Sequence, residues 1–470
     1  MQGSLPNRGI NAWHPLLLGA LLSGCVAGPD YQRPQPPGTP AALTAYSEDG
    51  VWRPAAPANA DDHTPWWQRY GDAELDALVM QAMGTNQTLS QAQAQVRQAE
   101  AIARGQGSRL WPTLDGAAQA ERARTRSSDD SRVSGSRDIS LQASWEPDLW
   151  GRMRRSLEAA NADARASQAD LAGARLGIQA AVVQTYIQLR LGDSLHELYL
   201  RSVDGYQRSL AIAEARSRVG VATQADVALA RTTLATSQAQ AIDVDLVRSQ
   251  AAHALAVLLG QPPADFRLES APLALQLPAT PAAVPSSLLE RRPDIAAAEQ
   301  RVQAANAQIG VARAAWFPEL RLAASGGESV VGSWASAPGA VWAVGATLAA
   351  NLFDGGARRA LSDEARGAFD AAAATYRQTV LSGFQDVEDN LAALRELSRE
   401  REYGEQALQA ARESETILLR QYESGTTNYL SVIDAQALAL GSERTALQLR
   451  ARELAAGVAL IKALGGAATE

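Results

Sequence analysis

Arg218-Val-Gly-Val-Ala-Thr-Gln-Ala-Asp-Val227 returns later in the chain as Glu423-Ser-Gly-Thr-Thr-Asn-Tyr-Leu-Ser-Val432. Gly220 aligns with Gly425 and Val227 with Val432, at a constant spacing of about 205 residues, the signature of an internal repeat. Each copy interrupts a long Ala-rich helical pattern with one glycine and then resumes it. Glycine costs about 1 kcal/mol inside a helix and is favoured where a helix stops. Each stretch therefore reads as the tip of a helical hairpin. Two tips in two half-chains imply one tandem-duplicated architecture.

Outward from the tips, the helical pattern begins after Gly151-Arg152 and runs to about Arg218; its copy runs from about Arg358 to Tyr422. Some 65 residues at 1.5 Å each give helices of roughly 100 Å, longer than a globular domain needs. The return helix after the first tip carries a seven-residue pattern of Val227, Ala230, Leu234, Ala241, Val244, Ala251, Leu255 and Leu258, with Ser237 and Arg248 as misfits. That spacing predicts coiled-coil packing with small residues at the seam. Gly260 and Gly465 are expected to cap the two return helices.

Upstream of each long helix the pattern changes. Asp72 reads as the N-cap of a short helix through Met83, and a second helix is expected from about Thr88 to Leu110. Trp111-Pro112 stops it, as Phe317-Pro318 stops its copy, a helix opened by Pro293-Asp294 after a short one capped by Ser286 or Ser287. Ile139, Leu141, Ala143 and Trp145 then alternate with Ser140, Gln142, Ser144 and Glu146, a strand period of two. Leu320, Leu322 and Ala324, and later Trp342, Val344, Ala346 and Leu348, alternate in the same way. Residues 126–136 and 328–340 read as loops between paired strands. An apolar-out, polar-in segment of about ten residues fits a membrane-barrel strand, and the same pattern fits a small soluble antiparallel sheet.

Of the 470 residues, 46% are hydrophobic and only 5% aromatic, and the formal net charge is −8. With no basic block, nucleic acid is not an expected partner. The one cysteine, Cys25, precludes a disulfide framework and a thiolate metal cluster. It follows a short apolar run, Leu16-Leu-Leu-Gly-Ala-Leu-Leu22, and the small residues Ser23 and Gly24. Residues 1–24 therefore read as a secretory signal. Leu22-Ser-Gly-Cys25 resembles the lipobox of bacterial lipoproteins, which makes Cys25 the expected acylated first residue of the mature chain. Residues 25–65 read as a Pro-rich tether, 66–260 as the first repeat, 261–285 as a linker, 286–465 as the second repeat and 466–470 as a tail.

Catalytic patterns are missing from the sequence. His14, His63, His196 and His253 lie far apart, and no G-x-S-x-G elbow, phosphate loop or H-E-x-x-H occurs. No enzyme activity, cofactor or metal is expected. No stretch is apolar and long enough for a transmembrane helix, so a membrane crossing would require a closed β-barrel. Four strands cannot close one. Eight leave an interior filled by side chains, whereas three chains give twelve strands and room for a lumen. Asp226 and Asp434 interrupt apolar patches just past the tips. They read either as helix-start aspartates favoured by the dipole or as lining of a conduit.

These features together resemble the outer-membrane factor family of TolC/OprM-like channels, in its NodT-like lipoprotein branch, over essentially the whole mature chain. Cys25-Val-Ala-Gly-Pro-Asp-Tyr31 is similar to that branch's signature after the lipobox. Leu288-Leu-Glu-Arg-Arg-Pro-Asp-Ile295 is similar to its second-half start motif, Leu352-Phe-Asp-Gly-Gly356 to its strand-to-helix junction and Lys462-Ala-Leu-Gly-Gly466 to its C-terminal end. The resemblance implies a mainly α chain with a small β part, forming in a homotrimer a periplasmic α-barrel and a 12-stranded barrel in the outer-membrane lipid. It implies the exit duct of a tripartite efflux pump for drugs or small toxic compounds. The expected partners are a periplasmic adaptor and an inner-membrane transporter of the resistance-nodulation-division type. A duct for type I protein secretion and a non-conducting lipid-anchored coiled-coil envelope protein are the alternatives. By the same resemblance Val219, Gly220, Val221, Ser424, Gly425 and Thr426 are adaptor-docking positions. Asp434 matches a gate aspartate, and Asp226 and Tyr422 match a gate network in which a phenol-to-carboxylate bond joins the hairpins. Ser431 stands in place of a second gate aspartate and Thr427 in place of an arginine.

Overall fold

The computed structural model describes residues 26–35, 65–126, 131–278, 291–332 and 338–466. Cys25, the signal, most of the tether, His14, His63, Ser286 and Ser287 lie outside the described residues.

The element order repeats itself. Helices α1 (Ala73–Thr85) and α2 (Gln87–Ser108) lead into strands β1 (Thr113–Arg126) and β2 (Ser131–Trp145). Then come the long helix α3 (Arg152–Arg218) and its return helix α4 (Gln224–Leu258). The second half gives α5 (Pro293–Ala314), β3 (Glu319–Gly332), β4 (Gly339–Ala349), α6 (Ala357–Ser424) and α7 (Tyr429–Ala463). Asp72 caps α1 as its sequence position predicts, its side chain accepting from the backbone N–H groups of Glu74 and Leu75. No helix among the described residues is long and apolar enough to cross a membrane.

Two compact units divide the chain, and each draws on both repeats. Among the described residues, one comprises 26–35 and those within 95–168 and 297–376, and holds the sheet. Its strands run antiparallel in the order β1-β2-β3-β4. Opposed residues in an antiparallel ladder share a face. The register therefore lines up Leu114 with Ala143, and Leu141 with Gly116 and Gly326. It continues with Trp145 on Leu322, Leu322 on Ala346, and Trp342 on Gly326. These rows form an apolar band across all four strands, and beyond the band the same face carries Arg122, Arg124, Arg137 and Glu328. The opposite face carries Asp115, Gln142 and Ser325 in one row, and Gln119, Asp138 and Ser329 in another. β4 is exposed along its whole length, and Trp342, Val344 and Leu348 stand clear of any neighbour's cover.

The strands are longer than the sequence suggests, which corrects the expected loops at 126–136 and 328–340. β1 reaches Arg126 and β2 starts at Ser131; β3 reaches Gly332 and β4 starts at Gly339. The extensions are rich in Arg, Ser and Gly, and backbone pairing continues through them because the ladder bonds do not depend on apolar side chains.

The other unit comprises, among the described residues, 65–94 and those within 169–296 and 377–466. Its main core gathers Trp66, Trp67, Tyr70, Leu75 and Val79 with Val183, Tyr186 and Ile187 of α3, Leu255 of α4, and Leu454 and Val458 of α7. Of the seam expected in α4, Val227, Ala230, Ala241 and Leu255 are buried, Ser237 is buried among them, and Leu234, Val244, Ala251 and Leu258 are half-buried. Arg248, the other misfit, is at home: it pairs with the buried Asp193 of α3, which Arg190 also holds, and donates to the Leu268 carbonyl at 3.1 Å.

Candidate functional site

Both tips follow the same local rule. α3 ends at Arg218, the Gly220 N–H donates to the Ser217 carbonyl and the Val221 N–H to the Arg216 carbonyl. α6 ends at Ser424, with the Gly425 N–H on the Tyr422 carbonyl and the Thr426 N–H on the Gln421 carbonyl. Gly220 (φ 76°) and Gly425 (φ 83°) take the left-handed backbone that closes such a helix end. A Cβ at either would meet nothing within 4 Å, so glycine answers to the backbone here and not to a close neighbour. The first tip presents two bare valines, Val219 at 73% and Val221 at 71% exposure. The second presents hydroxyls: Ser424 Oγ and Thr426 Oγ1 both donate to the Gln421 carbonyl and remain exposed.

Behind the tips the two hairpins pack on one apolar cluster. Ala213, Val227 and Ala230 of the first meet Tyr422, Tyr429, Val432 and Ile433 of the second. The Tyr422 and Tyr429 rings lie 5.3 Å apart. Arg216 spans the hairpins: its Cζ stands 4.4 Å from the centre of the Tyr422 ring, and its Nη2 donates to the Glu423 carbonyl at 3.0 Å. Glu423 lies in the last turn of α6, so the guanidinium also meets the negative end of that helix.

The expected bond between Tyr422 and Asp226 is not made. Asp226 Oδ2 accepts from the backbone N–H of Thr223 at 2.9 Å and from its hydroxyl at 2.8 Å, while Thr223 Oγ1 accepts from the Asp226 N–H. This capping box satisfies the free donors at the start of α4 and occupies the carboxylate locally. The Tyr422 hydroxyl is buried and makes no hydrogen bond among the described residues. Burial pushes its phenol up, the Arg216 guanidinium pulls it down, and the nearby Asp226 charge adds to the upward push. Asp434 is exposed on α7, beside the buried Val432, Ile433 and Ala435. Ser431, in the position of a second gate aspartate, is tied to the N-cap Asn428, its N–H and hydroxyl both donating to Asn428 Oδ1 at 3.0 Å.

Arg216 is the residue that reading the sequence missed. Its only signal is a position in the last turn of α3, where a cation is favoured by the helix dipole whatever else it does. It puts a guanidinium on Tyr422 from the first hairpin, whereas Thr427 leaves the second without one.

The profile of the family described as "Outer membrane efflux protein" matches residues 78–261 and 284–466, one stretch in each repeat. The pyoverdine export outer membrane protein OpmQ of Pseudomonas aeruginosa is 32% identical over 91% of this chain and 93% of its own. The toluene efflux pump outer membrane protein TtgI of Pseudomonas putida is 32% identical over 96% and 97%. Among solved structures, the open state of the MtrE outer membrane channel of Neisseria gonorrhoeae superposes with a TM-score of 0.82 at 28% identity, covering 95% of this chain and 99% of that one. With both repeats matched and the long hairpins and four-stranded sheet in place, the chain belongs to the outer membrane efflux protein family.

Proposed function

We propose that this chain, as a homotrimer, forms the outer-membrane exit duct of a tripartite pump that exports small molecules. The observation that carries the proposal is the sheet. One face carries an apolar band from β1 to β4, through Leu114, Leu141, Leu322 and Trp342, the other is polar over β1 to β3, and β4 is exposed throughout. An unpaired edge in lipid leaves backbone groups unsatisfied, at several kcal/mol each. Closing β4 of one copy on β1 of the next removes every edge, with the apolar face toward lipid and the polar face toward a lumen. A coiled-coil envelope protein would have no use for such a face. Pyoverdine export and toluene efflux, named for the relatives, favour small-molecule cargo over secreted protein.

In this reading the tips meet a periplasmic adaptor, which joins the duct to an inner-membrane transporter of the resistance-nodulation-division type. Cys25 carries the lipid anchor. Asp434 faces the axis, where threefold symmetry brings three carboxylates together and favours cations over anions. Planar-bilayer recording from the purified oligomer tests this: discrete channels with cation preference are expected, and Asp434→Ala should reduce the preference while channels persist. Bilayers that stay silent with correctly folded protein would refute the duct.

A further inference from the structure

The segment that follows Cys25 is built into the protein. Ala27 N–H donates to the Trp150 carbonyl at 3.0 Å, beside the start of α3. The Pro29 carbonyl accepts from Asn306 Nδ2 of α5 at 3.0 Å, and Asp30 Oδ1 accepts from Arg155 Nη2 of α3 at 2.8 Å. Tyr31 donates to Glu299 Oε1 of α5 at 3.4 Å, and Arg33 pairs with the same carboxylate. Gly28 (φ 99°) lies against Gly310: a Cβ on Gly28 would come within 2.5 Å of the Gly310 Cα. A Cβ on Gly310 would in turn meet the Ala27 carbonyl at 2.8 Å. Two glycines on facing segments of the one chain thus allow backbone to touch backbone.

We propose that residues 26–33 form an intramolecular latch that clamps α3 of the first repeat to α5 of the second, and holds the chain's N-terminal end at the strand-to-helix junction. The latch engages the junction at a stiff point. The Trp150 ring stacks on Phe317 at 4.7 Å, and its Nε1 donates to the Pro318 carbonyl at 2.7 Å. Arg155 and Asn306, two of the latch receptors, are buried polar residues: the segment accepts from Asn306 Nδ2 and from Arg155 Nε and Nη2, while Arg155 Nη1 donates to Glu158. Covered by a segment without these acceptors, each would carry the penalty of an unpaired buried group. The run Gly28-Pro-Asp-Tyr31 therefore has a physical reading independent of the lipid: close approach, carbonyl, carboxylate and phenol each meet one receptor. Where Cys25 is acylated, as proposed above, the latch fixes the anchor two residues from Ala27, so that the lipid and the sheet reach the membrane in register.

Amide hydrogen exchange on the full-length protein in detergent tests the latch. In the wild type, the peptide over residues 26–33 is expected to retain a slow amide, that of Ala27, protected at least about tenfold over an open chain. Gly28→Val should remove that protection. If Gly28→Val does not fold, Glu299→Gln deletes the charge facing Tyr31 and Arg33 without added bulk, and faster exchange in the same peptide is expected. Cys25→Ala should lose the lipid and keep the slow amide, which separates the latch from the anchor. Open-chain exchange over 26–33 in the wild type, loss of protection in Cys25→Ala, or protection indifferent to both latch substitutions would overturn it.

Discussion

The Arg216 guanidinium of the first hairpin lies over the Tyr422 ring of the second, 4.4 Å from its centre, and holds the Glu423 carbonyl with the same group. This contact, between residues about 206 positions apart, couples the two tips. A cation on an aromatic face contributes about 0.5–2 kcal/mol, and a hydrogen bond from a charged donor about 1.5–3 kcal/mol. If tip separation opens the duct, Arg216→Ala should shift the open-to-closed ratio by about tenfold or more. Single-channel recordings should show higher open probability. Tyr422→Phe keeps the stacked ring and removes only an unpaired hydroxyl, so it should conduct like the wild type. The reverse pattern would return the lock to the phenol.

Asp226 acts on α4 through Thr223. Losing an N-cap costs about 0.5–2 kcal/mol. Thr223→Ala and Asp226→Ala should therefore produce the same phenotype, faster amide exchange in the first turn of α4. A gate defect in Asp226→Ala alone, with Thr223→Ala silent, would show that the carboxylate does more than cap.

Gly220 tests docking apart from folding. An added side chain meets open space but strains a positive φ, at about 1 kcal/mol. Gly220→Trp should leave assembly intact and impair efflux in cells that depend on this duct, with Gly220→Ala much milder. Full drug resistance in Gly220→Trp at normal expression would move the adaptor contact elsewhere.

Much of this was legible in the sequence. Half of the expected seam, Val227, Ala230, Ala241 and Leu255, is buried and the rest half-buried, and Asp72, Pro112 and Pro318 punctuate the chain where their chemistry predicts. The strand ends were not legible, because Arg122, Arg124 and the Ser- and Gly-rich start of β2 lie in the ladder without the apolar alternation that marks the strand centres. Arg216 was hidden for another reason. A last-turn arginine is favoured by any helix, and only the fold brings Tyr422 beneath it. The pairing of Asp226 with Thr223 was local and readable, but the stronger expectation of a contact across hairpins masked it.

Acid should loosen the start of α5. Arg292 donates to both oxygens of Asp294, at 3.0 and 2.7 Å, to Asp386 of α6 at 3.0 Å and to the Ala463 carbonyl of α7 at 3.1 Å. Burial alone would push the Asp294 carboxyl up; the Arg292 hydrogen bonds and charge outweigh it and hold the carboxyl below its ordinary value. A depressed carboxyl stabilises the fold above its unfolded pKa, about 3.9, and that contribution disappears as pH falls through the lower folded value. Asp294→Asn should lower the melting temperature at pH 7, and the gap to wild type should close below about pH 4. A gap of equal size at both pH values would mean the ion pair contributes nothing.

The mass of the detergent-solubilised particle, corrected for bound detergent by multi-angle light scattering, tests the central claim most directly. Four strands with an apolar face and unpaired edges need partners to close, and the duct account predicts three chains per particle. A stable, folded particle of one chain would contradict it.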